Sequence, residues 1–141
     1  MSALFDWLVA GAPGAKTSED VVERVALGLR SEGVPLDRCH VFVTTLHPTV
    51  LGRQFRWTRD EPVRTLLLTQ EIQESDAFAK SPLMRVTGAR EEVHRALEGP
   101  LAPDDYGVLH DSKAEGFTAY LCAPLEFLGG ETHAATFVTR A

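Results

Sequence analysis

Residues 38–57 read RCHVFVTTLHPTVLGRQFRW, and the alternation inside this stretch decides the fold. From Cys39 to Leu46, the side chains of His40, Phe42, Thr44 and Leu46 fall on one side of an extended chain. Val41, Val43 and Thr45 fall on the other. From Arg53 to Thr58, Arg53, Phe55 and Trp57 share a side opposite Gln54, Arg56 and Thr58. Between the runs, His47-Pro48 and Gly52 break any helix and favour a turn. The pattern is a β-hairpin with an aromatic face and several polar groups, the composition of a wall for a small-ligand pocket. The expected ligand-binding residues are His40, His47, Arg53, Phe55 and Trp57. The alternative for Phe42, Phe55 and Trp57 is ordinary burial in a core.

Upstream, Lys16 to Gly33 reads as a helix. Thr17 with Asp20 forms a capping-box-like start, and Val21, Val22, Val25, Ala26 and Leu29 recur at helical spacing. Asp20 is placed to pair with Arg24, and Gly33 with Pro35 ends the helix. Before it, residues 1–15 form a short helix and linker. Its apolar face, Leu4, Phe5, Trp7 and Leu8, is expected to dock on the domain's own sheet or on a second subunit.

Downstream, Val63 to Gln70 reads as a third strand and Glu71 to Lys80 as a polar loop. Ser81-Pro82 suits a helix start, with serine as N-cap and proline in the first position, and Gly88 ends that helix. Glu91 to Leu97 fits helix and strand equally. Asp104 or Asp105 is expected to cap a helix that runs through Val108, Leu109 and Ala114 to Gly116. Phe117–Leu128 and Glu131–Arg140 form a second hairpin turned at Gly129-Gly130, with Phe117, Ala119, Leu121 and Ala123 on one face. Strands in runs, without βα alternation, predict one α+β domain over 1–141, an antiparallel sheet of about five strands flanked by helices.

Composition narrows the function. A net charge of -6 argues against nucleic-acid binding through a dominant basic surface. No apolar run is long enough for a membrane span, and the N-terminus lacks a basic signal region, so the expected compartment is the cytoplasm. Cys39 and Cys122 match no zinc pattern and read as buried, reduced thiols. The five histidines lack metal-binding spacing, and no serine has a nucleophile-elbow context. Gly11 to Thr17 departs from a P-loop because Ala15 separates Gly14 from Lys16. The expectation is a chain with no catalytic and no metal residues, and no cofactor is identified. An anionic ligand would be met by Arg53 or Arg56, whose forked donors suit carboxylate or phosphate, with Phe55 or Trp57 stacking on a ring.

The element order resembles a GAF domain. Leu46-His47-Pro48 with Gly52-Arg53-Gln54-Phe55-Arg56-Trp57 is similar to the LHP…GR.F.W signature in the N-terminal regions of bacterial class III adenylate cyclases. Ser81-Pro82 and the run Ala114 to Leu125, AEGFTAYLCAPL, resemble the same regions. The resemblance implies a GAF-like regulatory or sensory input that precedes a cyclase effector in relatives, not the cyclase itself. Cyclase chemistry needs two metal-holding carboxylates against a triphosphate, and Asp105 and Asp111 are not paired with a phosphate-cradling loop. The family's closing helix has no counterpart after the last strand. The implied partners are a small-molecule ligand and, as the rival reading, a second copy of the chain in a homodimer seamed by the N-terminal helix.

Overall fold

The structure is a computed structural model that describes residues 3–44, 50–69, 71, 82–103, 105–126 and 132–140. The helix α1 spans Ala3–Val9 and α2 spans Ser18–Ser31. At the start of α2 half of the expected box forms: the Thr17 hydroxyl accepts from the Asp20 N–H at 3.1 Å, while the Asp20 carboxylate accepts from the N–H of Lys16, one residue before the cap, at 3.1 Å. Gly33 ends it with a φ of 97°, a conformation that favours glycine. Arg24 does not make the expected pair with Asp20. Its guanidinium donates to the carbonyls of Pro13 and Gly14 and lies 5.8 Å from the Trp7 ring centre. The short α1 docks on α2 and not on the sheet. Leu4 occupies the space where a Cβ on Gly28 would stand, 2.9 Å from its Cδ1.

Six strands follow among the described residues, one more than expected: β1 (Leu36–Thr44), β2 (Val50–Thr58), β3 (Arg64–Thr69), β4 (Val93–Ala96), β5 (Ala119–Glu126) and β6 (Thr132–Thr139). The additional strand is β4, inside the stretch whose pattern was ambiguous; it pairs with β5, Val93 opposite Cys122. The order across the sheet is β3-β2-β1-β6-β5-β4, and every neighbouring pair is antiparallel. The first strand and the last therefore lie side by side at the centre. Among the described residues, α3 (Leu83–Ala89) and α4 (Gly107–Ala114) interrupt the second half.

Several local expectations change. Pro82 is the N-cap of α3, the helix continues past Gly88 to Ala89, and Arg90 closes it with a φ of 57°. Ser81, Asp104, His47-Pro48 and Gly129-Gly130 lie outside the described residues. The cap of α4 is Tyr106; Asp105 instead accepts from Arg95 Nε at 2.9 Å and from the Tyr106 N–H at 3.0 Å. Gly52 sits inside β2, opposite Thr44, and not in a turn.

The helices cover opposite faces of the sheet. α2 lays Val22 and Ala26 over β1 and β2, burying Leu36, Cys39, Phe55 and Trp57. Leu36 reaches this side because the register of β1 on β6 shifts between Leu36 and Arg38. On the reverse face, α3 and α4 supply Leu83, Val86 and Leu109 against Phe42, Tyr120, Cys122, Ala134 and Val138. Phe117 joins this second core, and not the face of Ala119 and Leu121, because it precedes the strand. Each buried Val, Leu or Phe among these contributes about 1.5–3 kcal/mol. Both cysteines are buried, and burial pushes the Cys39 thiol up to about 12.

Candidate functional site: a basic groove on the sheet

The antiparallel register sorts the predicted site residues. Val41 lies opposite Phe55 and Cys39 opposite Trp57, so both aromatic rings point toward α2. They are 5% and 3% exposed and form the core there. Trp57 also borders a shallow cavity of about 380 Å³, lined mainly by charged side chains of α2 and of residues 59–62. Arg53 is on the same side of β2, exposed, between Val43 and Leu67 in the register. His40 pairs with Arg56 on the reverse face. His47 lies outside the described residues. The four described residues, His40, Arg53, Phe55 and Trp57, therefore do not converge on one pocket.

The reverse face carries a different constellation. The helices α3 and α4 lie over the half of the sheet made by β4, β5 and β6, and among the described residues no helix covers the beginning of β1, the end of β2 and the beginning of β3. A groove of about 770 Å³ lies there, lined by Arg38, His40, Arg56, Thr58, Glu61, Pro62, Arg64 and Leu66 with Thr65. The strand pairing fixes the row: His40 is opposite Arg56, and Arg56 is opposite Arg64. Arg38 sits one pleat from His40 on the same face. It is held by Glu115 at 2.9 Å and rests 4.7 Å from the Phe117 ring centre. Arg56 donates from Nε to Gln54 at 2.7 Å, and Arg64 lies 3.9 Å from Glu61.

Three arginines and a histidine thus line a groove in a chain of net charge -6. The crowding shows in their protonation. Burial, and then the charges of Arg56 and Arg38, push His40 down to about 3. Arg56 is also lowered, by burial and then by Arg38 and Arg64. His40 is therefore neutral at physiological pH. Between its folded value and the unfolded value near 6.5, the unfolded chain binds more protons than the native one. Its contribution is complete above about pH 6.5 and falls as the pH drops toward 3, by at most about 1.4 kcal/mol per pH unit. Urea melts near neutral pH and near pH 4.5 should show His40→Asn losing less stability on acidification than the parent. Equal losses would remove His40 as the cause.

Beside the groove, the buried Asp37 gathers three more arginines. Arg59 Nε lies 3.1 Å from its carboxylate, Arg140 Nε 3.7 Å and Arg30 3.8 Å, so the ends of α2, β2 and β6 meet at one acid. His40 and His133 do not meet: His40 pairs with Thr136, and His133 projects to the other face of β6. Sequence reasoning had weighed Arg56 for an anion and missed Arg38 and Arg64. Their common parity with Arg56 was the available signal, once the register is known.

No protein-family model matches the chain, and no curated protein matches it. Among solved structures, a hypothetical protein from S. aureus is similar over 87% of this chain and 92% of its own, with 16% identity and a TM-score of 0.48. No helix among the described residues is long and apolar enough to cross a membrane.

Proposed function

We propose that this chain is a non-catalytic, GAF-like sensory or regulatory domain of an adenylate-cyclase-type signalling protein of the cytoplasm, and that it binds a small anionic ligand in the basic groove. The observation that carries the reading is the uninterrupted row His40, Arg56, Arg64 across three neighbouring strands. Like charges directly opposite one another, here Arg56 and Arg64, destabilise a sheet, and an anion between them reverses the sign; the neutral His40 adds a hydrogen-bond donor. The LHP…GR.F.W resemblance supports the regulatory role, and the antiparallel sheet with helices on both faces supports the GAF-like architecture. A cyclase effector downstream is the expected partner in the natural protein.

Thermal melts against a panel of anionic small molecules, cyclic nucleotides included, test the reading. A true ligand at a hundredfold excess over its Kd should raise Tm by roughly 5–10 °C. The rise should vanish in Arg56→Ala. A panel that moves neither protein would sink the groove as a ligand site.

The rival reading, a homodimerisation module without a small ligand, rests on α1. Phe5 and Leu8 are 49% and 42% exposed on that helix. Light scattering of Phe5→Asp against the parent separates the two readings, since a dimer seamed by α1 should fall to monomer mass.

A further inference from the structure

Resting on the groove reading above, the spacing of the charges narrows the ligand. Neighbouring strands lie about 4.8 Å apart, so the row from β1 to β3 spans roughly 10 Å. At this spacing a single tetrahedral oxyanion fits between His40 and Arg56, or between Arg56 and Arg64, whereas two linked oxyanions reach across both intervals. Arg56 is common to both pairs, and a guanidinium has enough donors in a fixed fork to serve two acceptors. The Arg56 Nε already donates to Gln54, which fixes the plane of the fork. Glu61 is the acid among the groove's lining residues, and it stands on the Arg64 side.

We infer that the groove is a diphosphate site, with one phosphoryl group between His40 and Arg56 and the second between Arg56 and Arg64. Arg38, tied to Glu115 and Phe117, adds positive potential at the β1 end and is a positioning charge. The same chemistry is offered by free pyrophosphate and by a nucleoside diphosphate, whose organic part would extend beyond the row toward Pro62 and Leu66.

Calorimetric titration at low salt uses inorganic pyrophosphate, orthophosphate, ADP and citrate. Pyrophosphate should bind at least about tenfold more tightly than orthophosphate, because it makes two sets of charge-assisted bonds instead of one. Arg56→Ala and Arg64→Ala should each weaken pyrophosphate by about 10–100-fold. Arg56→Lys, which keeps the charge and the fold but loses the fork, should lie between them and the parent. Arg53→Ala, on the opposite face of β2, should leave folding and affinity unchanged. ADP binding more tightly than pyrophosphate assigns a nucleotide, and ADP binding more weakly assigns the free anion; both retain the class. Equal affinities for pyrophosphate and orthophosphate, or an unaffected Arg64→Ala, would overturn the diphosphate assignment. Citrate bound in an Arg56-dependent way, with pyrophosphate silent, overturns it too but leaves the groove reading standing. Silence of every probe removes both.

Discussion

Trp57→Ala should lose about 3–5 kcal/mol of unfolding free energy, a large share of what a domain of this size possesses. The indole is 3% exposed, lies opposite Cys39 and packs with Val22 and Ala26 beneath α2. Removing it opens a cavity that three elements line, and a sheet and a helix held at both ends cannot collapse into it. Urea unfolding should show the midpoint falling sharply with little change in slope. Trp57→Phe, which keeps most of the apolar volume, should lose much less. A loss below about 1 kcal/mol for alanine would mean that the ring is not core, and that its expected role in a ligand wall deserves a second hearing.

Gly52→Ala should cost about 1–3 kcal/mol although it adds one methyl group. A Cβ there would stand 2.7 Å from Phe42 Cε2, 2.9 Å from Phe42 Cζ and 2.7 Å from the Val43 carbonyl oxygen. The ring is locked in the core under α3 and α4, and the carbonyl belongs to the neighbouring strand. Neither can retreat without shifting the β1–β2 pairing. The glycine is required by the close approach of a ring and a backbone, not by a turn. A double-mutant cycle checks the cause: Phe42→Leu in the Gly52→Ala background should be less damaging than Phe42→Leu alone. Additive losses would show that ring and methyl do not collide.

The sheet was legible because period-2 alternation survives wherever one face is buried. His40 and Phe42 separate from Val41 and Val43 on sight, and the N-cap of α2 can be read from Thr17 and Asp20. Three things were not legible. Val93 to Ala96 is short and lies at the sheet's edge, so its state is decided by pairing with β5 and not by its own composition. Which face each helix covers is a tertiary choice; with it went the fate of Phe55 and Trp57, which are core on the α2 side. The site needs register as well. Arg56 falls beside His40 and Arg64 because of how three strands align, and one-residue slips would send these side chains to opposite faces.

The side-by-side placement of β1 and β6 has a consequence for how the molecule comes to exist. The strands β1 to β3 and β4 to β6 each form a consecutive three-stranded piece, and one ladder stitches the two together. Its rungs, such as Cys39 with Phe137, join positions separated by more than half of the chain, so closing it carries a large loop entropy and a slow refolding rate. On the ribosome, the N-terminal piece emerges with a naked edge rich in valine and phenylalanine and must wait for the final strand to arrive. That interval is when the newborn protein is most exposed to chaperones and to wrong partners.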